Sequence, residues 1–352
     1  MAQTKFYTGD NLTRKRWAKD LFRVILDDME YKSMVGTSNT SAVQVRTELP
    51  KGAGDRITFG IRRPLTGAGI VGDQTWEGNE EKLSFKDFNM TVEELGHGVE
   101  VGGEMEAQRV PYNLVEEGKD ALRDWWGQHL SDHMFAHFCG DTTYKVNGVV
   151  FAQAPTNPDS GHQMFMNGAA SEAALVAGDQ LDLGFLDAMK QRAEAPEPAL
   201  NQDIMRAFII GGKKYYRVVL HDYAYDNLRR SFNVGDYGDM LRAAKELKQP
   251  DVDFVYNGMM VSKSTRIRTT RTISGNQKVY RNILFGPQAL CVAWGGAGKS
   301  TGTVMNLVVK QKDYDRITTM FGGGIFGFKK TGFGGKDYGI IVGSSAAEPL
   351  SA

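Results

Sequence analysis

Hydrophobic and polar residues alternate with period two in several short runs and recur with helical period in one long one. Val43, Val45 and Thr47 predict a strand, and Ile57, Phe59 and Ile61, alternating with Thr58, Gly60 and Arg62, predict another. The second strand dissolves into PLTGAGIVGDQTWEGNEE, about eighteen residues without periodicity. Alternation resumes from Leu83 and Phe85, and β-rich character continues through Met90, Val92, Val99 and Val101. An aperiodic loop of that length inside a folded domain is uncommon and is usually functional or ordered from outside. It holds no nucleophile–base pair and no dense set of metal ligands. It does hold charges of both signs, Arg62 and Arg63 on one arm and Glu77, Glu80 and Glu81 on the other, with the aromatic Trp76 between them. That is the chemistry of a long hairpin reaching onto another protein surface.

Leu114, Leu122, Trp125, Trp126, Leu130, Met134 and Phe138 recur at helical spacing. Pro111 suits the first turn of that helix, where its missing N–H is harmless, and Gly140 suits its end. At 1.5 Å per residue the helix is ~40 Å long. An earlier amphipathic helix from Thr13 carries Trp17, Leu21, Val24, Ile25 and Met29 on one face. Its bases are offset by Asp20, Asp27, Asp28 and Glu30, which favours packing on protein over a membrane surface. Beyond an irregular stretch from Tyr144 to Gly178, short helices (183–193, 223–230, 240–247) alternate with strands (208–210, 216–220, 252–256), predicting a mixed α/β unit. Closing strands at 304–309 and 340–342 are expected on either side of the Gly/Phe-rich run FGGGIFGFKKTGFGG.

Composition narrows the class. The 352 residues include 42 Lys+Arg and 42 Asp+Glu, a balance that argues against a nucleic-acid binder relying on basic excess and does not hinder self-association. Glycine, at 41 residues, fits hairpins and extended loops better than a helical bundle. Two distant cysteines, Cys139 and Cys291, imply no disulfide framework, and no apolar run approaches a membrane span. The first residues lack the apolar core of a signal peptide, so synthesis in the cytoplasm is expected.

Each motif with catalytic overtones has a plainer reading. AWGGAGKS (Ala293–Ser300) resembles a relaxed phosphate-binding loop, with Lys299 for phosphates and Ser300 for Mg²⁺. That loop needs a helix straight after the lysine, whereas TGTVMNLVV reads as a strand. His129, His133 and His137 lie at i, i+4 and i+8; a pair could share zinc but not all three, and a polar or intersubunit helix face is expected. His221–Asp222 reads as a strand-to-helix turn. The basic residues Lys263, Arg266, Arg268 and Arg271 alternate with Ser and Thr, as in an exposed strand or loop given to subunit contact and solvation. No catalytic residue, cofactor or metal site is assigned.

The run GDRITFGIRRPLTGAGIVGDQTWEGNEEKLSF resembles the corresponding stretch of tailed-phage major capsid proteins of the N-four type. YYRVVLHDYAYDNLRR (Tyr215–Arg230), RNILFGPQALCVAWG (Arg281–Gly295) and FGGKDYGIIVGSSAA (Phe333–Ala347) add to the resemblance in family order. It implies an α+β Hong Kong 97-type shell fold. On that pattern 1–42 is an N-terminal arm and helix, 43–106 an extended hairpin, 107–180 a peripheral domain with a spine helix, 181–310 an axial domain, and 311–352 a return to the peripheral domain with a tail. The implied function is a coat protein that assembles with itself, as hexamers and pentamers, into the icosahedral shell of a double-stranded DNA phage. The DNA is enclosed without sequence-specific binding or a membrane, and portal, scaffolding or decoration proteins are expected partners. Arg62, Arg63, Trp76, Glu77, Glu80 and Glu81 are the expected hairpin contacts. The alternatives are a P-loop nucleotide-binding enzyme, resting on AWGGAGKS, and a cellular nanocompartment shell sharing the fold.

Overall fold

Trp126, Leu130, Met134 and Phe138 share one face of the long helix and are each at most 1% exposed; the elements that close over that face define the architecture. The computed structural model describes residues 32–349 apart from 50–54, 63–68, 196–203, 297–304 and the single positions 74, 79, 84, 103, 112, 233, 250 and 315. The helix expected from Thr13 therefore lies outside the described residues, as do Arg63, Lys299 and Ser300.

The chain opens with strands β1 (Val35–Gly36) and β2 (Val43–Leu49), a hairpin of β3 (Arg56–Arg62) and β4 (Phe85–Thr91), and β5 (Glu93–Val101). A short helix α1 (Glu104–Arg109) precedes the long helix α2 (Leu114–Cys139). Next come β6 (Gln163–Phe165), α3 (Leu183–Glu194), β7 (Phe208–Ile210), β8 (Lys213–His221), α4 (Asp222–Arg230) and α5 (Val234–Leu247). Strands β9 (Phe254–Tyr256), β10 (Met259–Ser264), β11 (Thr269–Ser274), β12 (Gln277–Phe285) and β13 (Leu290–Gly295) follow. The chain closes with β14 (Met305–Lys312), β15 (Ile317–Lys330), β16 (Gly332–Phe333), β17 (Lys336–Asp337) and β18 (Ile340–Ala347).

Helix α2 starts at Leu114, three residues after Pro111. Asn113 caps it, its side-chain oxygen accepting the Val115 amide at 3.0 Å. Proline tolerates a missing amide, but an Asn cap satisfies one that would otherwise be orphaned, and the cap decides the boundary. Gly140 ends the helix in the left-handed conformation (φ 66°, ψ 41°), as expected.

Two sheets flank this helix. The first has the order β1-β2-β13-β15-β14, with β5 also pairing β15. The second, β6-β18-β12-β8-β10-β9, adds β7 on β8 and β11 on β12. Every residue of β18 and the last seven of β12 are buried, so the centre of this sheet is covered on both faces. Helices α3 and α4 pack on β18, and one large apolar core joins α2 to both sheets. Cys139 and Cys291 are free thiols buried in different places, and burial pushes both up to about 12.

The run FGGGIFGF does not separate two strands; it is the middle of β15, a 14-residue strand at the centre of the first sheet. Close approach explains its glycines. A Cβ on Gly322 would lie 3.1 Å from Trp126 Nε1 on α2, and one on Gly327 would strike the Thr91 carbonyl oxygen. Ala293, Trp294 and Gly295, which open AWGGAGKS, also take their place from β15. Gly295 pairs with Ile325 and Met305 with Gly324, so β13 and β14 follow one another along the same edge of β15. Strand is in place by Met305, five residues after Ser300, where a phosphate-binding loop would continue as a helix.

The histidines face inward, not outward to solvent or a subunit as expected. His133 and His137 are 2% and 3% exposed. Trp125 is sandwiched between His97 and His129, each stacked at 4.3 Å and 15°, and both deeper histidines stack against Phe328 of β15. The Tyr144 hydroxyl lies 3.0 Å from His133 Nδ1. Burial lowers His133 to about 4 and His137 to about 3, so both are neutral aromatic packing elements near neutral pH. Among the described residues no cluster of three or more His, Cys, Asp or Glu is placed to hold a metal ion. His221 caps α4, its Nδ1 accepting the Tyr223 amide at 3.1 Å, which is the strand-to-helix turn expected.

The basic cluster is spent on internal ties. Lys263 binds Asp222 at 2.7 Å, Arg266 binds Asp132 at 2.7 Å, and Arg268 lies over the Tyr144 ring. Arg271 donates to the Glu172, Ala173 and Leu175 carbonyls. Lys263 thus ties β10 to α4, and the three arginines fasten the second sheet region to α2 and to the irregular segment after it.

Candidate assembly surface

Arg56 to Arg62 pairs with Thr91 to Phe85 in an unbroken antiparallel register, making a hairpin ~23 Å long before its loop begins. Inward-facing positions at its root are apolar. Phe88 and Met90 are buried and join Cys291, Ala293 and Phe333 in a separate small core, with Phe88 edge-on to Phe333 at 5.7 Å. Polar groups clamp the same region. Lys329 Nζ donates to the Asn89 carbonyl and sits over the Phe88 ring, Thr91 Oγ1 donates to the Ala152 carbonyl at 2.9 Å, and the Ala152 amide donates to Glu93 Oε2 at 2.6 Å. The root is thus fixed to the body.

Toward the tip this packing ceases. Val71, Trp76, Leu83 and Phe85 are 59–79% exposed, a concentration of large apolar side chains on one projecting segment. Glu77, Glu80 and Glu81 are exposed beside them, and Glu80 accepts the Gly78 amide at 2.9 Å, holding the turn. Arg62 ends β3 opposite Phe85, and Arg63 lies outside the described residues. Trp76, Glu77, Glu80 and Glu81 are therefore brought together on one tip, with Arg62 at the base of the loop.

Two internal hubs escaped sequence reading. Arg281 of β12 holds Glu172 with two nitrogens (2.7 and 3.2 Å) and donates to the Cys139 and Gly140 carbonyls at 2.9 and 2.8 Å. It thereby completes the C-terminus of α2 with a cation, where the helix dipole favours one. Burial raises the Glu172 carboxyl, but the Arg281 hydrogen bond and charge outweigh it, and the carboxyl lies below its ordinary value. The second hub is Lys330, 3% exposed, which binds Asp337 at 2.7 Å and the Thr156 carbonyl at 3.2 Å. Partners more than a hundred residues apart, as Arg281 and Glu172 are, leave no local pattern to read.

A two-sheet body with a spine helix and a projecting hairpin can be compared with known proteins. A family model described as phage capsid protein matches residues 5–348. The chain belongs to the phage capsid protein family. A relative, the major capsid protein of Pseudomonas phage KPP25, is 23% identical, the match covering 96% of each chain. The capsid of Ralstonia phage GP4 has a TM-score of 0.82 at 23% identity, covering 100% of this chain and 97% of that one. The capsid subunit of cyanophage Pam1 has a TM-score of 0.67 at 18% identity, covering 99% and 98%. The capsid protein thus has the tailed-phage, Hong Kong 97-type α+β fold. Its place is the virion capsid and its role is structural; neither the nucleotide-binding enzyme nor the nanocompartment shell finds support in these relatives.

Proposed function

We propose that this capsid protein is the repeating major coat subunit of a tailed double-stranded DNA phage, and that its hairpin tip laps onto the next copy in the shell. The observation that carries the second part is the contrast between a root packed in its own small core and a tip exposing Trp76, Val71, Leu83 and Phe85. Arg62, Arg63, Trp76, Glu77, Glu80 and Glu81 are the contact residues on this reading. Copies group as hexamers and pentamers, synthesised in the host cytoplasm, and portal, scaffolding or decoration proteins complete the particle. The shell encloses DNA without reading its sequence, in keeping with a net charge of zero and a basic cluster engaged within the chain. The division into arm (1–42), hairpin (43–106), peripheral (107–180), axial (181–310) and returning (311–352) parts belongs to the same proposal. Its hairpin part includes β2 and β5, which lie in the first sheet, so the free-standing portion is β3–β4 and its loop.

The test is microscopy of purified protein with and without residues 66–78. The full chain gives uniform hollow particles. The deletion leaves a folded subunit that fails to close shells. Normal shells from the deletion would refute the role of the tip, and a full chain that stays monomeric in every buffer would refute the coat reading.

A further inference from the structure

A cleft of about 400 Å³ opens between β7 and the chain around β1. Met34, Phe208, Ile209 and Met260 give it apolar walls, and Arg206 and Arg217 line it as well; its described lining contains no carboxylate. Ile209 is 75% exposed on the short strand β7. In the β7–β8 register Ile209 lies opposite Lys214 and Ile210 opposite Lys213, so two exposed cations stand on the strand paired with β7. Asp251, an acid at the margin, is engaged by the Ser33 hydroxyl at 2.7 Å. Ser33, Thr40, Ser41 and Gln249 add polar wall. Arg206 donates to Gln288 at 2.9 Å and Arg217 to the Asp251 carbonyl at 2.8 Å. The cleft thus mixes apolar and polar surface, and its charged lining is basic.

The hairpin tip has the complementary chemistry. Between Gly69 and Leu83 the sequence carries Asp73, Glu77, Glu80 and Glu81 against the single cation Lys82. Trp76 stands among these carboxylates and is 74% exposed. An aromatic side chain buries 150–250 Å² when fully covered, and an aromatic anchor in a recess ringed by charge is the usual anatomy of an interface hot spot. Opposite charges at the rim then set register and speed encounter.

We propose that this cleft is the receptor for the hairpin tip of a neighbouring copy, with Trp76 as the anchor and Asp73, Glu77 and Glu80 facing Arg206, Lys213 and Lys214. The inference rests on the coat reading above and adds the surface that the tip engages.

Two chains, one with Glu77→Cys and the other with Ile209→Cys, are co-assembled and mildly oxidised. Both positions are exposed, and the native cysteines are buried. The expected result is a disulfide-linked dimer from mixed particles that neither chain yields alone. The dimer is lost when Trp76→Ala is added to the Glu77→Cys chain, at concentrations where shells still form, and is absent when the partner cysteine is placed at Val149, which is 66% exposed. A second arm reverses charge. Lys214→Glu weakens the cross-link and Glu80→Lys on the other chain restores it. Shells that form without the 77–209 dimer overturn the docking site and leave the coat reading intact, as does an equal dimer through Val149→Cys. Absence of shells from the unaltered chain overturns the coat reading itself.

Discussion

Replacing Arg281 with alanine removes the cation that ties the end of α2 to the second sheet. The side chains of Arg281 and Glu172 are only 9% and 19% exposed. The substitution would leave the Glu172 carboxylate with the hydroxyls of Ser344 and Thr270 in place of a cation, and would take the Arg281 donor from the Cys139 and Gly140 carbonyls. Breaking a buried pair from one side costs ~3–5 kcal/mol. At about 2.1 cal/mol/K per residue, a chain of 352 residues has an unfolding entropy near 0.7 kcal/mol/K, so the melting temperature of the unassembled subunit should fall by roughly 4–7 °C. Arg281→Lys keeps the charge but cannot grip both carboxylate oxygens and the carbonyls together, so it should fall between.

The decisive assay is a double-mutant cycle read by denaturant titration of the unassembled subunit. Arg281→Met and Glu172→Leu should each destabilise, and the double variant should recover much of the loss, giving a coupling of ~2 kcal/mol or more. Because the folded Glu172 carboxyl lies below its unfolded value of 4.5, its contribution is present above that pH and is lost as pH falls below it. A single-variant cost under ~1 kcal/mol with coupling near zero would refute the hub, since surface pairs reach only that much.

Trp76→Ala should raise the subunit concentration needed for assembly by about 30- to 800-fold. Covering three-quarters of an indole removes ~100–150 Å² of apolar surface worth ~2–4 kcal/mol; light scattering against concentration measures the threshold, and an unchanged threshold, or a lowered melting temperature in the free subunit, would count against a purely intersubunit role. Acid should destabilise the subunit through His133 and His137, because the unfolded histidines bind protons from pH 6.5 downward while the folded ones wait until about 4 and 3. Stability therefore falls through that window by up to ~1.4 kcal/mol per pH unit for each histidine, and urea titrations at stepped pH should show a shallower fall for His133→Phe; equal slopes would contradict this account.

Much of the fold was legible because periodicity survives translation into packing. The alternating residues of β2 and β3, the helical stripe of α2 and the glycine at its end need only local geometry to be read. Helix α2 was misplaced at its start because proline tolerance and side-chain capping compete within three residues, and only the fold reveals Asn113 as the cap. The histidine face looked polar because residue type was taken as environment. Stacking on Trp125 and Phe328 makes a neutral imidazole an aromatic filler. Of the candidate contacts, the clustering of Trp76 with Glu77, Glu80 and Glu81 followed from sequence, whereas the cleft bordered by β7 joins segments more than a hundred residues apart.

Two glycine-rich stretches show why composition alone misleads. Both the hairpin loop and β15 are rich in glycine, yet one projects and the other is the centre of a sheet. The difference lies in what occupies every second position. In β15 the alternate residues Met320, Gly322, Gly324, Phe326, Phe328 and Lys330 are all buried. The period-two pattern is intact once glycine is counted as an inward position whose volume a neighbour supplies. At Gly322 that neighbour is Trp126 of the spine helix, which also meets Phe326 edge-on at 6.0 Å. In the loop from Gly69 to Leu83, by contrast, Val71, Trp76 and Leu83 are all exposed, and the largest of them, Trp76, faces solvent. Glycine next to large apolar residues at even spacing marks a strand pressed against a bulky helix; glycine next to a lone exposed aromatic and a run of carboxylates marks a surface whose complement lies on another molecule.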